Sequence, residues 1–136
     1  MVEIVLNSRT TTWIHTHYGG GPQKGARDGT THLQYLNDVN QNNITYVNKA
    51  RDIYTRSCAG YCIASYVMGL GDRHPSNIMV RTKGELFHID FSHFLGNFKS
   101  QNIIGEYVKW QREVAPFVFL PAYKYCIDNG NKDKDK

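Results

Sequence analysis

The sequence lacks the features that would place it inside a membrane. Its 136 residues contain no apolar run near the roughly 18 residues that a membrane span requires, so any membrane contact would be peripheral. The opening run MVEIVL is too short for a signal peptide, and we expect none. No internal repeat is present, and the length suits one compact domain.

Cysteine is scarce as well, with three residues in an order that has no metal-site spacing. Cys58 and Cys62 lie four apart in a helical pattern, and we expect them and Cys126 to be buried free thiols, which fits a reducing cytosol. His15 and His17 could in principle bind a metal as a pair. No third ligand is near them in the sequence, so we expect no site there.

Positive charge is only slightly in excess over negative charge. Sixteen lysines and arginines face twelve acidic residues, which leaves a net charge of +4. This mildly basic balance is compatible with acidic partners such as phosphates or an anionic membrane, but by itself it decides little. We expect no nucleic-acid partner.

Apolar periodicity indicates a mixture of helices and strands. VEIVL at 2–6 is typical of a short strand, and 31–39 predicts an amphipathic helix. Residues 19–30, GGGPQKGARDGT, hold five glycines and one proline and predict a flexible loop. A glycine-rich phosphate loop is the alternative, but no strand leads into this segment and no Gly-Lys-Ser/Thr follows it.

The strongest periodic segment spans 48–70. Near its centre it is apolar almost all round, which predicts a central buried helix ended by Gly69 and Gly71. From 91 to 115 the pattern becomes irregular. The residues 128–136 are polar with alternating charge, and we expect a disordered tail.

Two β-rich runs flank Thr82-Lys83-Gly84 and predict a hairpin with a three-residue loop, in which Gly84 takes the left-handed position. This register pairs Val80 with Leu86 and Met79 with Phe87. Since side chains alternate along a strand, the apolar residues that share one face are Met79, Phe87 and Ile89.

The stretches GLGDRHPSNIMV (69–80) and LFHIDFS (86–92) carry the chemistry. The hairpin brings Asn77 and Asp90 to its open end, where an amide oxygen and a carboxylate suit magnesium. Just upstream, Asp72 and His74 form a base candidate beside an acid that could orient it. Arg73 could anchor the loop or neutralise charge.

The apolar face of the hairpin could hold a flat ring beside the metal, which predicts a nucleotide site with the adenine on the hairpin and the phosphates at its mouth. The alternative is a surface loop with a salt bridge from Asp72 to Arg73 or Arg112. For any single residue this alternative is favoured, but the joint pattern favours the nucleotide site. His88 and His93 are interpreted as structural neighbours.

SCAGYC, GLGDRHPSNIMV and LFHIDFSHFLGNF resemble the C-terminal lobe of a phosphatidylinositol 3-kinase catalytic domain, and the similarity runs from about Glu3 to Ile127. The resemblance implies an α+β fold, a partial protein-kinase-like C-lobe over 1–127 with helices packed around a catalytic loop (72–77) and a β-hairpin. It also implies an activation segment over 90–116. The family transfers the ATP γ-phosphate to the inositol 3-hydroxyl.

By this resemblance Asp72 and His74 form the catalytic pair, with His74 favoured as the base or transition-state contact. Asn77 and Asp90 would bind Mg²⁺. The residues implied to line the ATP adenine pocket are Met79, Phe87 and Ile89. The basic residues implied to meet the lipid headgroup are Lys99, Lys109 and Arg112.

The implied cofactors are ATP and Mg²⁺. The implied partners are a phosphoinositide lipid and, in addition, a regulatory subunit, with a cytoplasmic location peripheral to membranes. The basic residues of the activation segment are sparse, so we expect a preference for phosphatidylinositol or its monophosphate over the bisphosphate.

The sequence departs from the family pattern in two ways. DFG is DFS here, Asp90-Phe91-Ser92, and serine lacks the freedom of glycine at positive φ, so the metal loop is expected to be stiffer or displaced. The family's phosphate-binding loop and ATP-contacting lysine precede the matched segment, so we expect this chain alone to be inactive and marginally stable. The alternatives are a protein serine/threonine kinase of the PI3-kinase-related family and a pseudokinase scaffold.

Overall fold

The computed structural model describes residues 4–95, 100–103, 106–109 and 117–129, with the backbone alone for 100–103 and 106–109. Helices and antiparallel strands are mixed, which confirms the α+β class. The elements in chain order are β1 Ser8–Thr10, α1 Thr11–Gly19, α2 Pro22–Arg27, α3 Thr31–Val39, α4 Ile44–Met68, β2 Ile78–Arg81, β3 Leu86–His88, β4 Ser100–Ile103, β5 Glu106–Lys109 and α5 Pro121–Ile127.

Local capping explains where the helices begin and end. The Thr10 side chain accepts a hydrogen bond from the Trp13 amide at the start of α1, and the Asn43 side chain accepts from two amides at the start of α4. Gly69 ends α4 in the left-handed conformation, at φ 57°. The observed bounds of α3 coincide with the predicted helix at 31–39.

Helix α4 differs from the prediction of a helix buried on all sides. Its buried positions repeat at helical spacing along one face, from Val47 to Ser65. On the other side of its C-terminal half, Ile63, Tyr66 and Val67 are 65%, 68% and 70% exposed. The apolar composition of α4 therefore did not predict its burial, because in the described part of the chain neighbouring elements cover only one face of this helix.

The first strand also lies elsewhere than predicted. Ile4 and Leu6, from the predicted strand VEIVL, are exposed and outside the regular structure. The strand that forms is β1, which pairs antiparallel with β2 so that Thr10 lies opposite Met79. Its sequence, Ser-Arg-Thr, has no apolar residue, so the pairing comes from the edge of the β2–β3 hairpin rather than from burial.

The β2–β3 hairpin has the predicted register, with Met79 opposite Phe87 and Val80 opposite Leu86. Gly84 has φ 101° and its amide donates to the Arg81 carbonyl, as a three-residue loop requires. A Cβ at position 84 would lie 2.0 Å from the Ala50 carbonyl oxygen of α4. Glycine is therefore needed both for the turn and for its contact with the helix.

Two segments predicted to be irregular contain regular structure. Within 19–30, residues Pro22–Arg27 form helix α2, and a Cβ on Gly25 would lie 2.1 Å from the His15 carbonyl oxygen, so this glycine permits close helix packing. Within 91–115, strands β4 and β5 pair antiparallel. Helix α2 was not predicted because 19–30 is rich in glycine. Strand β4 was not predicted because its polar residues give little apolar alternation. The predicted tail lies outside the described residues beyond Asn129.

The core lies where α1, α3, α4 and α5 meet the buried face of the hairpin. His15 and His32 are fully buried in it, with ring centroids 5.4 Å apart. The predicted free thiols are confirmed, with Cys58 and Cys126 buried and Cys62 partly buried. The largest fully buried side chains include Tyr35, Tyr54, Tyr123, Ile14, Leu36, Ile78 and Leu86.

His15 and His17 lie on different sides of α1, because residues two apart on a helix do not share a face. His15 faces the core, whereas His17 stacks on Trp13 at the surface with ring centroids 4.7 Å apart. In the part of the chain that the structure describes, no group of three or more His, Cys, Asp or Glu side chains could hold a metal ion. None of the described helices is both long and apolar enough to cross a membrane.

Candidate nucleotide and phosphate site

The open end of the β2–β3 hairpin brings Asn77 and Asp90 together along the chain. The last ladder pair is Ile78 with His88, and beyond it the Ile89 amide donates to the Asn77 carbonyl oxygen at 2.9 Å. Asp90 follows directly. The backbones of the two predicted metal ligands therefore lie at the same end of the hairpin.

Arg73 anchors the loop, which is one of the two roles that its sequence position suggested. It is only 2% exposed. Its guanidinium donates to the Gly71 carbonyl at 2.8 Å, to the Ile89 carbonyl at 2.7 Å, and to the Asp90 carbonyl. Arg73 thus joins the loop that precedes β2 to the segment that follows β3, and its charge lies close to the mouth of the hairpin.

Asn77 is oriented by the same loop. Its Nδ2 donates to the Asp72 carbonyl at 2.9 Å, and its backbone amide donates to the His74 carbonyl at 2.8 Å. Because the Nδ2 end of the amide faces the protein, Oδ1 is the end left to accept or to coordinate. Asn77 is 7% exposed, so its amide is held in place before any ligand arrives.

Asp72 and His74 lie side by side at the surface. Asp72 has φ 60°, a left-handed conformation that is uncommon for aspartate and that clusters at functional sites. His74 Nδ1 accepts a hydrogen bond from the Ser76 amide at 3.2 Å. In the neutral ring the proton therefore lies on Nε2, which is 4.0 Å from Asp72 Oδ2, an ion-pair distance once the ring is protonated.

The carboxylate of Asp90 is exposed and its pKa lies below the usual value. The main cause is hydrogen bonding from the Ser92 side chain, followed by its backbone amide, while Arg73 and His93 add favourable charge. The Ser92 amide lies 3.4 Å from Asp90 Oδ1. Asp90 itself has the left-handed φ of 56°, whereas Ser92 does not have a positive φ. The family glycine is therefore not required at 92 by the conformation seen here.

The donor set at the mouth suits a small, hard cation. An ionised carboxylate and an amide oxygen are oxygen ligands of the kind that Mg²⁺ accepts, and this ion usually completes its coordination with water and phosphate oxygens. Asp90 supplies the charge and Asn77 the neutral oxygen. The residues present therefore fit the metal that the sequence pattern implied.

The hairpin presents two faces of different character. Ile78, Val80, Leu86 and His88 face the core and are buried. The predicted adenine-contacting residues lie on the opposite, half-exposed face, and they are Met79, Phe87 and Ile89.

The remaining predicted and neighbouring residues are distributed as follows. Lys109 is the last residue of β5, described by its backbone alone, whereas Lys99 and Arg112 lie outside the described residues. His88 contacts Tyr61, with ring centroids 4.6 Å apart, and the His93 carbonyl accepts from the Gly71 amide at 2.8 Å. His88 and His93 therefore make structural contacts beside the candidate site, His88 to α4 and His93 to the loop at Gly71.

Two contributors were missed by sequence reasoning. Ser92 contacts the carboxylate of Asp90, although the sequence suggested only that serine would stiffen the loop. Thr11 and Thr12 contact the loop at Pro75 and Ser76 across a sequence separation of 64 residues. No local sequence signal could have revealed that second contact, because it depends on the position of α1 beside the hairpin.

Residues 22–135 match the family model described as phosphatidylinositol 3- and 4-kinase. The chain belongs to this family. It is 47% identical over 98% of its length to phosphatidylinositol 3-kinase 3 of Dictyostelium discoideum, and 43% identical over its whole length to phosphatidylinositol 3-kinase 1 of the same organism. It is 36% identical over its whole length to the human phosphatidylinositol 4-phosphate 3-kinase C2 domain-containing subunit beta.

The match covers only 7% of the first of these relatives and 8% of each of the other two. The chain therefore corresponds to less than a tenth of the length of the family members that it resembles.

Proposed function

We propose that this chain forms the catalytic-loop half of a phosphatidylinositol 3-kinase domain, a kinase-like C-lobe that transfers the ATP γ-phosphate to the 3-hydroxyl of an inositol lipid. The observation that carries the proposal is the Arg73 anchor. Its hydrogen bonds connect the Asp72–Asn77 loop to Ile89 and Asp90, which supports a shared site for two acids, an imidazole and an amide. Phosphoryl transfer depends chiefly on such positioning and on charge neutralisation.

In this proposal Asn77 and Asp90 hold Mg²⁺, which when bound neutralises charge on the transferred phosphate. Asp90 is suited to the role because it is exposed and because the groups that lower its pKa, Ser92 first and then Arg73 and His93, favour its ionised form. The adenine would lie on the half-exposed face of the hairpin, against Met79, Phe87 and Ile89. The opposite face of the same two strands is buried in the core, which holds the hairpin in place.

We further propose that Asp72 receives the proton of the inositol hydroxyl while His74 donates a hydrogen bond. The support is the bond from the Ser76 amide to His74 Nδ1, which leaves the proton of the neutral ring on Nε2. A nitrogen that already carries a proton cannot accept another, whereas the Asp72 carboxylate can. This reverses the preference for His74 as base that the family resemblance suggested.

For the lipid we propose a phosphatidylinositol or monophosphate headgroup, contacted by Lys99, Lys109 and Arg112. The support is the small number of basic residues in the segment that follows Asp90. The location would be cytoplasmic and peripheral to membranes.

The test uses the complete catalytic domain that contains this segment, with ATP, Mg²⁺ and vesicles of phosphatidylinositol, its 4-phosphate or its 4,5-bisphosphate. Asp72→Asn and Asp90→Asn should each lower the rate by about 100-fold or more, the usual effect of losing a proton acceptor or a charged metal ligand. Asp52→Asn is the matched control, because Asp52 pairs with Arg56 on the surface of α4.

The lipid series tests specificity at the same time. Highest turnover on the bisphosphate would reject the lipid preference but not the kinase assignment. Phosphorylation of a peptide in place of every lipid would replace the lipid kinase with a protein kinase. Unchanged rates in both acid variants would reject the proposed site. The 136-residue chain alone should show no turnover.

A further inference from the structure

The first turn of α1 is in direct contact with the catalytic loop. The buried Thr11 hydroxyl donates to the Pro75 carbonyl oxygen at 2.6 Å. The Thr12 amide donates to the same oxygen at 3.1 Å, and the Thr12 and Ser76 hydroxyl oxygens lie 2.9 Å apart. Three hydrogen bonds therefore join segments that are far apart in the sequence, two of them between residues 64 positions apart.

This contact supports a turn that the loop closes with one backbone bond, from the Asn77 amide to the His74 carbonyl. At the centre of that turn Pro75 has no amide hydrogen, so its carbonyl is the one backbone group through which further hydrogen bonding can fix it. Thr11 is fully buried, and hydrogen bonds gain strength where water is excluded. With two donors from α1 on one carbonyl oxygen, the helix adds a second constraint on the position and direction of this peptide group.

The fixed peptide is connected in turn to the imidazole of His74. The next amide, that of Ser76, donates to His74 Nδ1, and the amide of Asn77 donates to the His74 carbonyl. If residues 75 and 76 shift, the ring loses the contact that determines which nitrogen carries its proton. We propose that Thr11 and Thr12 are positioning residues that hold His74 through Pro75 and Ser76.

The catalytic importance of this contact rests on the proposed kinase function, but the contact itself does not. The experiment therefore needs neither ATP nor lipid. A failure of the kinase assays would leave its result unchanged, and a failure here would leave the roles of Asp72 and Asp90 untouched.

The experiment uses the ¹⁵N-labelled 136-residue chain, compared with the double variant Thr11→Val and Thr12→Val. Two quantities are measured at pH 8, amide hydrogen exchange at Ser76 and Asn77, and the ¹⁵N chemical shift of His74 Nδ1. We expect exchange at both amides to rise about fivefold in the variant, since a net hydrogen bond contributes roughly 1 kcal/mol, a factor of about five. The Nδ1 shift should move because its hydrogen-bond donor is lost.

Thr16→Val is the matched control, because it removes a threonine hydroxyl from the same helix that bonds only to the Thr12 carbonyl in the structure. Exchange at Arg81 and Gly84, whose amides donate to the Glu85 and Arg81 carbonyls, reports on the hairpin and should be unchanged in every variant. The double variant Thr11→Ser and Thr12→Ser keeps both hydroxyls and should restore the parent values.

An unchanged Nδ1 shift together with unchanged exchange in the valine variant would overturn the proposal. It would be overturned equally if Thr16→Val had the same effect. If the double valine variant does not fold, Thr12→Val alone decides by the same two measurements, because the Thr12 hydroxyl is exposed and its loss should not affect the core.

Discussion

At the mouth of the hairpin the side chains of Arg73 and Asn77 are paired, whereas in the helical core several buried polar groups have no partner in the described structure. Arg73 and Asn77 use their donors on backbone carbonyls of the loop and the strands. By contrast, neither ring nitrogen of His15 is hydrogen-bonded, and His32 uses only Nδ1, on the Tyr54 hydroxyl at 2.7 Å. Hydrogen bonds therefore order the open end of the hairpin, whereas packing orders the core. Because buried histidine nitrogens in the core lack partners, protonation should destabilise the core.

Acid should have the largest effect, and it should act on the core. Burial, with a smaller contribution from the neighbouring His15, lowers the pKa of His32 to about 3, and burial lowers the pKa of His15 as well. The unfolded chain therefore binds protons at a pH where the folded chain does not. The free energy of unfolding should fall from about pH 6.5 downward, with a loss for His32 on the order of 4 kcal/mol by pH 3.

Urea unfolding followed by circular dichroism at pH 7, 6, 5 and 4 measures this dependence. His88, whose pKa burial and the charge of Arg73 lower to about 4, should add to the loss at the acid end. A free energy of unfolding that stays constant between pH 7 and 4 would contradict the assignment of neutral, buried histidines.

Removing the Arg73 side chain should have the next largest effect, at the mouth. Arg73→Met keeps much of the volume but leaves three carbonyl oxygens without this donor, and we expect a cost of about 3 kcal/mol at neutral pH. Chemical unfolding measures it. Arg56→Met is the control and should change little, because Arg56 pairs with Asp52 on the surface of α4. Equal effects of the two variants would show that the Arg73 bonds contribute no more to stability than a surface ion pair does.

His15→Leu should have a smaller effect and the opposite sign. Leucine replaces a buried ring that has two unpaired nitrogens, so we expect a gain of about 1 kcal/mol at pH 7 and a shallower decline in acid. His17→Leu on the exposed side of α1 serves as the control and should leave the acid decline unchanged. A loss of stability in His15→Leu would mean that the His15 ring makes a favourable contact.

The smallest effect is expected at Ser92. Ser92→Gly removes the side-chain bond to the Asp90 carboxylate, so the pKa of Asp90 should rise toward its usual value with little change in stability. Ser92→Ala removes the same hydroxyl and also keeps the amide, so comparing it with Ser92→Gly separates the loss of the hydroxyl from the added backbone freedom of glycine. Carboxyl ¹³C titration measures the shift. An unchanged Asp90 titration in both variants would show that Ser92 does not interact with this carboxylate.

The parts of the fold that local chemistry determines could be predicted from the sequence. The hairpin register follows from one three-residue loop with Gly84 at its left-handed position, and that register alone brings Asn77 and Asp90 to one end. Helix α3 follows from its apolar spacing. The exposed side of α4 could not be predicted, because apolar composition does not say which neighbour covers a face.

The candidate site likewise has features that the local sequence predicts and others that it does not. The residue types and spacing of the loop predicted which groups gather at the mouth, but the partners of those groups are set by tertiary contacts. The backbone bonds of Arg73 and the contact of Thr11 with Pro75 join segments 16 and 64 residues apart. Such pairings depend on how the elements are placed in space, which a local pattern does not encode.

The close approach of Gly84 to Ala50 has a mechanical consequence for the site. The turn lies about 20 Å along the strands from the open end, given a rise of roughly 3.3 Å per residue. The turn is one support of the hairpin, with β1 along β2 and Arg73 at the open end as the others. A tilt of about 5° at the turn would displace the far end by nearly 2 Å over that length unless those contacts resist it. Misplacement of about 1 Å can cost a catalyst on the order of 100-fold. Position 84 thus contributes to the alignment of Asn77 and Asp90 without touching either of them.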